Sequence, residues 1–151
     1  MGRVSRGHSA RCARRAVVIL VDTSVWVDYL RGEATPAAEA LRQLVVDQPQ
    51  DIATCEPIAM ELLAGASPAR LPSLERLVDG LACLVVEPSL DFRAAASIYR
   101  LVRASGHTVR ALNDCLIAAI AARHEVMLLH KDADLERIQR VTGQPMDSRR
   151  Q

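Results

Sequence analysis

The run Val17-Val18-Ile19-Leu20-Val21, stopping at Asp22-Thr23-Ser24, constrains this chain more than any other stretch. Apolar residues in unbroken succession, with no polar alternation, predict a strand covered on both faces, as in the middle of a parallel sheet. In open sheets of that kind ligands bind just beyond the carboxyl ends of the strands. Asp22 therefore stands where chemistry is expected, and any other carboxylate able to reach it becomes a candidate.

The remaining pattern alternates between the two periodicities. Residues 24–30 carry apolar side chains at helical spacing and end at Arg31-Gly32, a C-cap signal. Thr35-Pro36 predicts the cap and first turn of a second helix, reaching about Val46. Residues 51–53 form a short strand candidate, and Thr54 reads as the cap of a helix through Ile58, Met60, Leu62 and Leu63 that closes at Gly65. A helix from Ser67-Pro68 to about Val78 precedes residues 81–86, read as a second buried strand. Residues 88–104 predict a long Ala-rich helix, 112–123 a short apolar helix with Asn113 as its cap, 125–129 a third strand, and 132–140 a last helix. The alternation predicts a three-layer α/β/α domain with a mainly parallel central sheet. Its expected span is 16–142, between a flexible basic extension (1–15) and a polar tail (143–151).

Half of the 151 residues are hydrophobic, which excludes wholesale disorder and suits one domain with a substantial core. A net charge of +1 points to no class of partner. Only Lys131 among the nineteen basic residues is not Arg, a bias that reads first as GC-rich coding and second as a fit to phosphate. Cys12, Cys55, Cys83 and Cys115 form no C-x-x-C pair or local Cys/His cluster, so zinc is not expected; buried, reduced thiols in a cytoplasmic protein are. No apolar run is long enough to span a membrane, and the short run after the basic residues 1–15 ends in an aspartate, which argues against a signal peptide.

Most acids fall where a solvated helix face places them: Asp28, Glu33, Glu39, Asp47, Glu75, Asp79, Asp91 and Glu125. Five do not. Asp22 ends the buried strand, and Glu61 lies inside an apolar helix. Asp114 sits in the first turn of the most apolar helix, and Asp132 and Asp134 follow the third strand directly. Each alone has a plain account, as a helix cap, a favourable charge at a helix N-terminus, or a surface group. Together they imply crowded carboxylates that cannot all stay ionised without compensation. The usual compensation is Mg²⁺ or Mn²⁺ held by oxygen ligands, which suits attack on a phosphodiester. No phosphate-cradling G-x-x-x-x-G-K-[ST] loop and no G-x-G-x-x-G turn offers another chemistry.

At Val21-Asp22-Thr23-Ser24-Val25-Trp26, Glu61-Leu62-Leu63-Ala64-Gly65, Asn113-Asp114-Cys115-Leu116-Ile117-Ala118-Ala119 and His130-Lys131-Asp132-Ala133-Asp134-Leu135, the chain resembles the PIN-domain ribonucleases. Within them it resembles the VapC-type toxins of bacterial toxin–antitoxin pairs. The resemblance covers about residues 17 to 140. It implies a shared acidic site in which Asp22, Glu61 and Asp114 are the principal acids, Asp132 the fourth, and Asp134 a less regular neighbour. Ser24 matches a hydroxyl that bonds within the site. The expected activity is Mg²⁺- or Mn²⁺-dependent endonucleolytic cleavage of RNA, with Asp22, Asp114 and Asp132 holding the metal and Ser24 and Asp134 as further cofactor-binding residues. Expected partners are the RNA substrate, a small antitoxin and a second copy in a homodimer. His130 replaces a frequent Thr, and Leu135 a frequent Phe. A non-catalytic PIN-like module that binds RNA or protein is the alternative, and a structure-specific DNA nuclease a third reading. A receiver domain and a haloacid-type phosphatase are excluded, since Asp22 is followed by Thr23-Ser24 and lacks their acidic partner. Arg31, Arg103, Arg110 and Arg123 are candidates for holding RNA phosphates.

Overall fold

The structure, a computed structural model, describes residues 17–150. The expected basic extension at 1–15 and Cys12 lie outside the described residues. The first strand is β1 (Ile19–Val21), followed by helices α1 (Thr23–Arg31) and α2 (Pro36–Asp47). Next come β2 (Ile52–Cys55), α3 (Glu56–Ala64), α4 (Leu71–Gly80) and β3 (Ala82–Leu84). The chain continues through α5 (Pro88–Ala104), α6 (Leu112–Arg123), β4 (Met127–His130), α7 (Ala133–Thr142) and β5 (Met146–Ser148).

The strands form one sheet in the order β3-β2-β1-β4-β5, and every pairing is parallel. β1 is central, as its unbroken apolar run requires, and Leu20 and Val21 are fully buried. From β1 the chain first winds outward through β2 and β3, then returns to the other side of β1 for β4 and β5. Right-handed crossovers then put α1–α4 on one face and α5–α7 on the other; most helix contacts fall within those two groups, and α3 also meets α6. The one reversal of winding lies between β1 and β4. Connections there diverge above and below the sheet, and it is at such a reversal, beyond the carboxyl ends of the strands, that open sheets of this kind form their binding crevice.

Several local expectations change. Residues 81–86 do not form a buried strand: β3 is an edge strand whose Ala82 and Cys83 are exposed, because among the described residues nothing pairs beyond it. Thr54 does not cap α3; it lies within β2, which pairs with β3 as far as Cys55, so Cys55 takes the N-cap position. In the stretch read as a polar tail, Met146–Ser148 forms β5 against the outer edge of β4, with Met146 buried. Two acids assigned to solvated faces are interior: Asp28 pairs with Lys131, and Asp91 accepts from Arg123 Nε at 2.7 Å and Nη2 at 2.8 Å. Arg123 is thereby committed to the fold rather than to phosphate. Cys55 and Cys115 are buried and burial pushes their thiols up, to about 12 and about 11; Cys83 is exposed. Among the described residues no helix is long and apolar enough to cross a membrane.

Candidate metal centre at the switch point

Asp22 leaves the end of β1 and is the N-cap of α1, so its two readings, cap and site residue, coexist. Its Oδ2 accepts from Ser24 N at 3.0 Å and Ser24 Oγ at 2.5 Å, while Oδ1 has no protein donor among the described residues. Asp22 N donates to Leu129 O, and Lys131 N donates to Ser24 Oγ at 3.3 Å, so the ends of β1 and β4 are tied across the crevice. Ser24 thus fixes Asp22 and links it to the loop that carries Asp132.

Asp132 repeats the device at the start of α7. Its Oδ1 accepts from Asp134 N at 2.6 Å and Leu135 N at 3.3 Å, again through one oxygen only. Capping with a single oxygen holds a carboxylate still and leaves the second for another partner. Asp114 occupies the first turn of α6. Three acids thus stand at the N-termini of three helices, where oriented peptide dipoles favour negative charge by about 0.3–1 kcal/mol each.

Glu61 reaches in from α3, where its neighbours Ile58, Ala59 and Leu62 are buried. Both oxygens are engaged: Oε2 accepts from Thr23 Oγ1 at 2.5 Å and Oε1 from Asn113 Nδ2 at 2.7 Å. Thr23 follows Asp22 and Asn113 precedes Asp114, so this clamp draws Glu61 to both. Asn113 is therefore a site residue and not the cap of α6, a position that Ala111 takes. Neither Thr23 nor Asn113 stands out by composition; their adjacency to Asp22 and Asp114 was the available signal.

The acids feel one another. Burial pushes the Asp22 carboxyl up to about 6, against the Ser24 hydrogen bonds, with Glu61 and Asp132 adding to the rise. For Asp114 burial again leads, and Asp132, Asp22, Glu61 and Asp134 together bring the carboxyl to about 8. Neutral pH therefore finds Asp114 largely protonated unless a cation offsets its neighbours.

Asp134 needs separate treatment. One oxygen each from Asp114, Asp132 and Asp134 lie within 4.8 Å of one another, the tightest acidic triad among the described residues. Yet both Asp134 oxygens are occupied: Oδ2 accepts from Arg110 N at 3.0 Å and Nε at 3.2 Å, and Oδ1 from Arg137. Although burial opposes it, these donors and charges hold the Asp134 carboxyl below the usual range. Asp22, by contrast, has an uncommitted oxygen and no cationic partner among the described residues, so it suits a cation better than Asp134 does. All these donors are oxygens, which fits a hard divalent cation. His130, at the end of β4, is fully buried with neither ring nitrogen partnered among the described residues, and burial lowers its pKa. It faces the core rather than solvent.

The PIN domain family profile matches residues 19–141. Ribonuclease VapC11 of Mycobacterium tuberculosis is 52% identical over 127 residues, covering 83% of this chain and 95% of that protein. VapC ribonuclease Mb1587 of Mycobacterium bovis matches to the same extent. Among solved structures, VapBC-1 from nontypeable Haemophilus influenzae superposes with a TM-score of 0.67 at 13% identity, over 89% of this chain and 99% of that one.

Proposed function

This chain belongs to the PIN-domain family, among its VapC ribonucleases, and from that we propose a metal-dependent endoribonuclease that acts as the toxin of a toxin–antitoxin pair. The observation that supports it best is the meeting of Asp22, Glu61, Asp114 and Asp132 in the crevice at the switch point, with two carboxyls displaced far upward. Groups so displaced in a cleft are candidates for function, since folding alone gains nothing from crowding them.

In this reading Asp22, Asp114 and Asp132 hold Mg²⁺, or Mn²⁺ in its place, through oxygens left free by the helix caps. When bound, the cation supplies positive charge for the extra negative charge that builds on phosphorus during in-line attack. Glu61, fixed by Thr23 and Asn113, accepts a hydrogen bond from the attacking water and aligns it through a remaining lone pair. Ser24 keeps Asp22 in place. Asp114 must lose its proton before it can ligate, so cation affinity rises with pH up to about 8.

The partner is a small antitoxin protein, of which a peptide covers the cleft. A groove of ≈ 450 Å³ between α1, α3 and α4 runs to Glu61 past Val27, Leu30, Leu62 and Leu74 and would take such a peptide. Assembly as a homodimer belongs to the same reading, supported by exposed Leu90 and Leu101, about three turns apart on one face of α5. The test is cleavage of structured RNA with and without Mg²⁺, wild type against Asp22→Asn. Loss of at least about 100-fold in rate is expected, since the variant removes a charge that acts in the transition state. Equal cleavage by both proteins refutes the site, and no cleavage of any RNA by wild type favours the non-catalytic alternative.

A further inference from the structure

Two arginines stand at the edge of the acidic crevice with most of their donors unspent. The loop from α5 to α6 turns at Gly106, whose φ of 80° suits glycine, and carries Arg110 to the start of α7. There Arg110 gives its backbone N and Nε to Asp134, yet its side chain is 75% exposed and its two Nη groups bond nothing among the described residues. Arg137, one turn into α7, gives Nη1 to the other oxygen of the same carboxylate and is 38% exposed. Asp134 itself is 1% exposed. Two guanidinium groups on one carboxylate leave one positive charge in excess, held in place and facing outward. A hollow of ≈ 460 Å³ lined by Gly106, His107, Thr108, Arg110, Ala133 and Arg137 lies beside them. Arg110 is near enough to Asp132 and Asp114 for both to reinforce its charge.

A polyanion entering a crevice of carboxylates meets repulsion unless cationic groups flank the entry. A fork-shaped guanidinium with free Nη donors suits bidentate contact with a phosphate. We propose that Arg110 and Arg137, positioned by buried Asp134, form a phosphate-binding subsite that grips the RNA strand next to the acidic centre. This rests on the ribonuclease reading and extends it. Asp134 becomes a positioning residue for the arginines and not a metal ligand.

Binding of a labelled single-stranded RNA by the full chain, with Asp22→Asn as the background that stops turnover, tests the subsite. Anisotropy titrations in EDTA between about 50 and about 200 mM salt give the slope of log K against log [salt]; each lost contact with a single strand lowers its magnitude by about 0.7. Arg110→Ala and Arg137→Ala are each expected to lower it by that amount. Asp134→Asn, which frees both arginines, is expected to lower it at least as much. Arg42→Ala removes an equal charge already bonded to Glu39 and the Glu33 carbonyl, and is expected to leave the slope unchanged. Slopes untouched by Arg110→Ala and Arg137→Ala, or lowered equally by Arg42→Ala, overturn the proposal. Cleavage by the wild-type chain is measured separately: cleavage with unmoved slopes refutes only the subsite, and lowered slopes without cleavage refute only the ribonuclease reading.

Discussion

Replacing Asp114 by Asn should stabilise the metal-free protein at neutral and alkaline pH. The folded carboxyl is raised from 3.8 to about 8, so at pH 7 the native state holds a proton that the unfolded chain releases. The corresponding cost to folding has a ceiling of about 4 kcal/mol at pH 7. Because part of that rise comes from the charges of neighbouring acids, which relax when one acid is removed, the substitution recovers roughly half, about 2 kcal/mol. For a domain of this size that is about 4–8 °C in Tm. A raised carboxyl leaves stability intact below the unfolded value of 3.8 and takes it away as pH climbs to about 8, so the advantage of Asp114→Asn should grow across that window. Thermal melts of both proteins in EDTA from pH 5 to pH 8 would show it. Saturating Mg²⁺ should then narrow or invert the gap, since the wild-type chain gains binding free energy that the variant has lost. A variant no more stable than wild type at pH 8 in EDTA, or a gap that widens on acidification, refutes the claim that the carboxylates are crowded and uncompensated.

Three further outcomes follow from the same geometry. Asn113→Ala frees one oxygen of Glu61, and about a tenfold fall in kcat with little change in Tm is expected from a lost orienting contact; an unchanged rate on RNA would remove Asn113 from the site. Arg123→Ala leaves Asp91 buried and unpaired and should cost about 3 kcal/mol in urea unfolding. Arg123 also holds the Asp91 carboxyl below its usual value, so that pair stabilises the fold above the unfolded carboxylate range and loses its effect as pH falls through the lowered one; Arg123→Ala should therefore flatten the acid limb of the stability curve. His130→Leu removes a buried ring whose nitrogens meet no hydrogen-bond partner of good geometry among the described residues and should be neutral or stabilising by up to about 2 kcal/mol, whereas a loss of more than that in the same unfolding assay would mean that the ring nitrogens are satisfied.

What could be read along the chain was set by near neighbours. The apolar run before Asp22 announced a central parallel strand, Thr35-Pro36 and Gly32 marked helix ends, and residues 112–123 declared an apolar helix, because such patterns act within a few residues. Glu61 and Asp114 betrayed themselves as charges among residues that prefer burial, and the four motifs carried the family resemblance. Partnership was not legible. Met146-Asp147-Ser148 becomes a strand only because β4 offers an open edge, and the run at 81–86 loses its burial because β3 lies at the end of the sheet. Asp28 and Asp91 look like solvated charges until Lys131 and Arg123, far off in the chain, close on them. The same holds in the crevice, where Thr23 and Asn113 fix Glu61 across long separations and two arginines claim Asp134. Local sequence determines which groups are candidates, because propensity and burial are short-range effects. Charge balance is decided by whichever groups the fold brings within a few ångströms, and only the tertiary structure sets that.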